Sequence, residues 1–256
     1  MRLVELTEPT QHHQAADLLA RVWKAAAVLE SSTMTAVAMS GGYVAGAYEA
    51  DRLVGASCAL IGLDDHGLHL HSHVTGIEPG LQRHGLGYEL KQHQRAWCAR
   101  RGIPEIRWTY DPLVARNAYF NLHRLGARVV AYLPDAYGPL PDGINAGDTT
   151  DRLYVHWDVA DPVPAPAVDV AALRAEGAAV VVDRVEDEPR RVGELADSAT
   201  LLVAAPSDVE ALRERDPRLA ARWRAELAEV LPAALAAGYE VVGCSRDAYY
   251  CLKIPQ

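Results

Sequence analysis

A basic excess is what this chain most usefully lacks. Its 25 Lys and Arg stand against 34 Asp and Glu, a net charge of −9. Phosphate backbones select basic faces, so nucleic acid is not an expected partner. Phenylalanine occurs once, and the aromatic share rests on eleven tyrosines and five tryptophans. No apolar run approaches the about 20 residues that cross a bilayer, so no membrane role is expected. The opening MRLVELTEPTQHHQ lacks the basic-then-apolar-then-small order of a secretory signal, which makes the cytoplasm the expected compartment. The four cysteines, Cys58, Cys98, Cys244 and Cys251, show no Cys-x-x-Cys spacing and suit reduced thiols. A Cys244–Cys251 bridge across a terminal hairpin is the alternative. Ala and Arg outnumber Ile and Lys, which points to a bacterial source.

What is there is a globular composition, half of it hydrophobic, and 256 residues are enough for one large domain or two modest ones. Apolar spacing predicts a strand over residues 3–6 and a helix over about 11–27, with Leu18, Leu19, Val22 and Trp23 inward. Strands follow at 43–49, 53–63 and 68–76, each set off by a turn. A helix over about 87–101 carries Leu86, Leu90 and Trp97 on its apolar side, with Lys91, Arg95, Arg100 and Arg101 facing water. Strands at 105–110, 128–133 and 152–158 bracket a short helix at 117–125 and a long Pro- and Gly-rich loop at 134–151. The run Asp161-Pro-Val-Pro-Ala-Pro-Ala reads as an extended linker. Beyond it come strands at 179–183 and 199–203, one long helix at 207–237, and a closing hairpin at 240–246 and 249–254.

The most informative positions are Ile77-Glu78-Pro79 and Gln82-Arg83-His84-Gly85-Leu86-Gly87, between a strand and an amphipathic helix. Unpaired N–H groups at a helix N-terminus, with the positive end of its dipole, seat a phosphate or pyrophosphate. Gly85 and Gly87 let a ligand approach the backbone closely. That assigns cofactor contacts to Gln82, Arg83, His84, Gly85, Leu86, Gly87 and Tyr88.

The strand order and the Gln-x-x-Gly-x-Gly loop in its strand–helix setting resemble the GNAT acyltransferases over residues 2–158. Closer still is the bacterial subfamily of predicted GNAT acetyltransferases with a C-terminal extension. That likeness rests on Ser72-His73-Val74-Thr75-Gly76, Trp108-Thr109-Tyr110-Asp111-Pro112-Leu113, Arg116-Asn117-Ala118-Tyr119-Phe120-Asn121-Leu122 and Leu125-Gly126-Ala127. Tyr137-Gly138-Pro139, Asp142-Gly143-Ile144-Asn145 and Asp151-Arg152-Leu153 continue it. The resemblance implies an α/β (α+β) fold, a twisted mixed sheet flanked by helices. A catalytic domain would span 1–160, and a smaller α/β extension, for packing or dimerisation, 161–256. It implies acetyl-CoA, or another acyl-CoA such as succinyl-CoA, as co-substrate, and the primary amine of a small molecule as acceptor, an amino acid among the candidates. A homodimer is a further candidate, and no metal is expected. The alternative is a non-catalytic acyl-CoA sensor on the same fold.

The resemblance places pantetheine and oxyanion contacts on the backbone of Thr75, Gly76 and Ile77. His73, on the same strand, is the first choice of base, since an imidazole can take an ammonium proton near neutrality. His69, His71 and His73 alternate along that strand, which leaves open a metal-ligand role and a structural or substrate-lining one. The family's tyrosine acid would fall four residues before Gly126, where Leu122 stands. Tyr119, one turn earlier, is the replacement acid, against the alternative that it packs. Asn117 and Asn121 are either local helix partners or coenzyme contacts. Trp108, Tyr110, Asp111, Arg116 and Tyr137 are the expected acceptor-binding residues. Arg116 or Arg152 would pair with a carboxylate of the acceptor, or with a structural ion-pair partner.

Overall fold

The computed structural model describes residues 1–81, 85–139, 148–195 and 198–255, in two compact units. One unit holds Met1–Trp108 and Asp158–Asp161; the other holds the remaining described residues from Thr109 on. The units part inside a strand, whereas the proline-rich segment marks a boundary near residue 160.

In the first unit, strand β1 (Arg2–Glu5) leads to helix α1 (Pro9–Trp23). Gln11 Oε1 accepts the Glu8 N–H at 3.1 Å, and Pro9 opens the helix where its missing N–H costs nothing. Lys24, at φ 50, closes α1 earlier than the apolar spacing suggested. Helix α2 (Ser31–Met39) was not legible, because SSTMTAVAM buries only Met34 and Val37 and shows little periodicity. Strands β2 (Tyr43–Glu49), β3 (Arg52–Asp64) and β4 (Gly67–Ile77) pair antiparallel. Helix α3 (Leu86–Arg100) then crosses over to β5 (Glu105–Tyr110), which pairs parallel to β4. The strand order β1-β2-β3-β4-β5 is therefore a mixed sheet. Leu18, Leu19, Met34, Val44, Ala56 and Val74 form one core cluster; Ala47, Val54, Leu86 and Leu90 form another, beneath α3. Burying each large aliphatic fully contributes about 1.5–3 kcal/mol.

In the second unit, helix α4 (Ala115–Tyr119) passes directly into a π-helical turn, Phe120–Leu125, closed by Gly126 at φ 80. The helix therefore starts before Asn117, which lies within it and does not cap it. Strands β6 (Arg128–Leu133) and β7 (Arg152–Asp158) pair antiparallel over the expected residues. Past an extended segment come α5 (Val170–Ala175), β8 (Ala179–Val185), β9 (Glu188–Arg191) and β10 (Thr200–Ala204). Helices α6 (Val209–Arg215) and α7 (Pro217–Ala236) precede β11 (Glu240–Cys244) and β12 (Tyr249–Lys253). These strands order as β11-β12-β10-β8-β9.

The single helix expected at 207–237 is two. Pro217 lacks an N–H and clashes with the preceding turn, so the first helix stops, and Asp216 caps the second by accepting the Leu219 N–H at 3.0 Å. All four cysteines are free and buried, so Cys244 and Cys251 are not bridged. Among the described residues no helix is long and apolar enough to cross a membrane.

Candidate functional site

Strand β4 is irregular in two ways, and both occur at the same place. Against β3 its register shifts: Val74 pairs with Cys58 and Ser72 with Ala59, which leaves His73 as the extra residue of a bulge. A bulge re-aims its side chain and locally ends regular pairing. Against β5 the parallel ladder holds only Leu70↔Ile106 and His71↔Arg107, although β4 runs on to Ile77. From Ser72 onward, no pairing of β4 with β5 is present among the described residues. Inserted between neighbouring strands, a flexible extended ligand could use such an edge as a strand would.

The side chains along this edge are anchored. Ser57 Oγ and Thr75 Oγ1 share a hydrogen bond of 2.9 Å. Gly76 is covered by α1, since a Cβ there would stand 2.6 Å from Leu19 Cδ2. Only its backbone remains available. Ile77 packs against the cluster of Leu86 and Leu90, which ties the strand's end to the start of α3. That helix begins at Gly85, in the left-handed conformation at φ 80, with no side-chain cap. The Tyr88 and Glu89 N–H groups turn back to the Gly85 carbonyl. The Leu86 and Gly87 N–H groups stand in the first turn, ahead of any acceptor within the helix itself. Among the described residues only Ile77 Cδ1, at 3.3 Å, would meet a Cβ on Gly87, and none would meet one on Gly85. Both glycines thus keep the helix start bare.

The histidines of β4 differ. His71 is desolvated and lies beside His73, His69 and Lys91, which together drop its pKa to about 4. His73 is exposed at the bulge, and partial burial of its ring also lowers its pKa. Their rings are 6.3 Å apart. His69 is buried, with Nδ1 3.2 Å from the Gly67 carbonyl. Among the described residues no three His, Cys, Asp or Glu side chains gather to hold a metal ion.

Lys91 does not face water. It is buried, donating to Ser72 Oγ at 2.8 Å and Gln94 Oε1 at 3.3 Å, with its ammonium 3.8 Å from the centre of the Trp108 ring. The expected polar face of α3 is thus narrower than the sequence suggested. The missed signal is spacing: Lys91, Gln94 and Cys98 follow i, i+3, i+7, and all three are buried.

In the second unit, Asp111 is held by arginines. Its Oδ2 accepts from Arg213 Nη2 at 2.8 Å and Arg224 Nη2 at 2.9 Å, and Oδ1 takes the Leu113 N–H at 2.9 Å. The same two arginines reach Asp148. Burial alone would raise the Asp111 pKa, but Arg224 and then Arg213 outweigh it and hold it below the usual carboxylate range. Arg116 is exposed and pairs with Glu210; Tyr137 shares a 2.8 Å hydrogen bond with Thr109 Oγ1. Arg152 is buried, donates to the Asp151 carbonyl at 2.9 Å, and stands 5.6 Å from the Tyr137 ring centre. Tyr110 is buried.

Leu122, at the family's acid position, is buried, and its carbonyl accepts the Ala165 N–H at 3.0 Å. Gly126 lies so close to the Val163 backbone, 2.6 Å from an added Cβ, that no other residue fits. Tyr119 stacks on His123 at 4.7 Å, and its hydroxyl accepts from Arg246 Nε at 3.2 Å. Asn121 is buried and its carbonyl takes the Ala127 N–H; Asn117 is exposed.

The chain matches no protein-family model and no curated protein sequence. Solved structures are similar in fold. The smu.2055 structure from Streptococcus mutans UA159 superposes at a TM-score of 0.50, with 15% identity over 62% of this chain and 99% of that one. The ribosomal-protein-S18-alanine N-acetyltransferase of Escherichia coli gives 0.49, with 16% identity over 62% and 94% of the two chains. An acetyltransferase of the GNAT family from Streptococcus pneumoniae gives 0.49, with 13% identity over 61% and 98%. Identities this low speak to fold alone. The deciding feature is the order of elements in this chain: strand, two helices, an antiparallel meander, a glycine-led helix after β4, then a parallel strand, a helix and an antiparallel pair. The fold is of the GNAT type that the resemblance implied.

On that GNAT fold, the expected residues fall into separate groups. Thr75, Gly76, Ile77, Gly85, Leu86, Gly87 and Tyr88 lie in the first unit with His73, as does Trp108, which is buried at the Lys91 ammonium. Tyr110, Asp111, Arg116, Asn117, Tyr119, Asn121 and Tyr137 belong to the second. Gln82, Arg83, His84 and the segment Asp142-Gly143-Ile144-Asn145 lie outside the described residues. The C-terminal sheet is an addition to the GNAT fold, as the resemblance implied.

Proposed function

We propose that this chain is an N-acyltransferase that moves an acetyl or succinyl group from acyl-CoA to the primary amine of a small molecule, with an amino acid among the candidates. The observation that carries this reading is the coincidence on β4 of the His73 bulge with the end of the β5 ladder, one strand before a glycine-led helix. A coenzyme A thioester has two parts that such a site fits. The dipole and the first-turn N–H groups at Leu86 and Gly87 suit a pyrophosphate. The β5 side of Thr75, Gly76 and Ile77, which carries no ladder among the described residues, suits the amides of pantetheine. When bound, the thioester supplies an activated acyl group.

The remaining work belongs to the protein. A primary amine attacks only when neutral, so a proton must leave it. His73 is exposed and, with its lowered pKa, is neutral at pH 7, ready to accept that proton directly or through water. Backbone N–H groups along the parted edge would stabilise charge on the acyl oxygen, each at about 3 kcal/mol. Tyr119 is proposed to return a proton to the departing thiolate, with Asn117 and Asn121 as coenzyme contacts. Trp108, Tyr110, Asp111, Arg116 and Tyr137 are proposed to line or support the acceptor site. The proposed catalytic domain is 1–160, with 161–256 as an extension, and the proposed setting is a bacterial cytoplasm.

The test is a screen of acetyl-CoA and succinyl-CoA against a panel of amines and amino acids, read by mass spectrometry. An N-acylated product that needs both protein and donor supports the proposal. Retained acetyl-CoA binding by calorimetry, with no product from any amine, would return the protein to the sensor reading.

A further inference from the structure

Lys91 touches three elements at one point of the first unit. From α3 it donates to Ser72 on β4 and to Gln94 on its own helix, and its ammonium lies against the Trp108 ring on β5. No carboxylate pairs with it among the described residues. An ammonium without a counter-ion is an expensive thing to bury, so its place calls for a reason.

The register supplies one. The β4–β5 ladder runs Leu70↔Ile106, then His71↔Arg107. The next rung would join Ser72 to Trp108, and these are the two residues that Lys91 holds. One residue further along β4 is the His73 bulge. Gln94 gives up a hydrogen bond in the same cause: its Oε1 faces the ammonium while its buried Nε2 has no partner among the described residues. Turned the other way, the amide would set its own N–H groups against those of Lys91.

We infer that Lys91 is a positioning residue that stands in for the missing rung, tying Ser72 to Trp108 and fixing where β4 and β5 part. The inference rests on the acyl-CoA reading for its purpose: a donor that binds along residues 75–77 needs that edge held at a constant opening. Lys91 itself touches neither donor nor acceptor in this account. It acts through Ser72, on the donor-binding edge that follows it.

Two variants test this, Lys91→Met and Ser72→Ala, the second leaving the lysine in place should the first fail to fold. The first readout is amide hydrogen exchange of β4 without any donor. Loss of the tie is expected to speed exchange over residues 72–77 about tenfold, with α1 and β2 unchanged. The second is steady-state kinetics with acetyl-CoA. KM for the donor is expected to rise about tenfold in Lys91→Met, while kcat changes by less than about threefold. A smaller shift in the same direction is expected for Ser72→Ala. Wild-type exchange rates at 72–77 in both variants would overturn the inference, as would an unchanged donor KM. If the wild type neither binds nor consumes acyl-CoA, the proposed function fails by itself. The exchange comparison then still decides whether Lys91 fixes the parting of the strands.

Discussion

Replacing Lys91 with methionine distinguishes a buried ammonium from ordinary packing through the pH dependence of stability. Burial lowers the Lys91 pKa from 10.5 to about 7, and only the nearby Cys98 acts against it. Between those two values the unfolded chain carries a proton that the folded chain has released. Stability from this group therefore rises with pH through that window and is lowest below pH 7. At about 1.4 kcal/mol for each pH unit, the wild type gains on the order of 2–3 kcal/mol between about pH 6 and 9. His71 and Cys98 also shift on folding, to about 4 and about 12, but both are present in wild type and variant, so their contributions largely cancel in the difference between the two. Methionine keeps most of the chain length and cannot ionise. The variant is expected to exceed the wild type in stability by about 1–4 kcal/mol at pH 6, and to lose 2–3 kcal/mol of that lead by about pH 9. Urea unfolding at four pH values, with the slope m checked for constancy, measures this directly. A stability difference that does not change with pH would refute the reasoning.

Other expectations bear on the site and on the units that carry it. His73→Ala is expected to lower kcat about 10–100-fold at neutral pH while acetyl-CoA affinity stays within about threefold. Because partial burial lowers the His73 pKa, wild-type turnover should fall only as pH drops below the ordinary histidine range, and equal turnover by the variant across pH 6–9 removes it as the base. Asp111→Asn takes a buried carboxylate away from Arg213 and Arg224 and should cost about 3–5 kcal/mol; an unchanged thermal midpoint would show that the cluster contributes nothing. Gly76→Ala drives a methyl into Leu19 and should cost about 1–3 kcal/mol by chemical denaturation, whereas wild-type stability would mean that α1 yields freely.

The sequence made the strands legible wherever alternation met a clear turn, and for this reason β5, β6 and β7 fall where the pattern placed them. Helix α2 escaped because its buried face is only Met34 and Val37. The helix over 207–237 was over-read because apolar spacing continues across Asp216-Pro217, while proline chemistry stops the backbone there. Within the site, the glycine-led start of α3 was readable from Gly85 and Gly87. The bulge at His73 was not, since one extra residue leaves no mark on composition or period. Lys91 was misplaced for a different reason: charge alone argues for solvent, and only the partners Ser72, Gln94 and Trp108 reveal why it lies inside. Asp111 likewise gave no hint of Arg213 and Arg224, which lie far along the chain.

The central claim is that the parted edge of β4 serves transfer of an acyl group from coenzyme A to an amine. Release of free thiol from acetyl-CoA, followed continuously with and without a panel of primary amines, tests it most directly. The account predicts thiol release that depends on an amine, saturates with acetyl-CoA and collapses in His73→Ala. Thiol release that never rises above the protein-free rate with any amine, from protein whose folding has been verified, would contradict it.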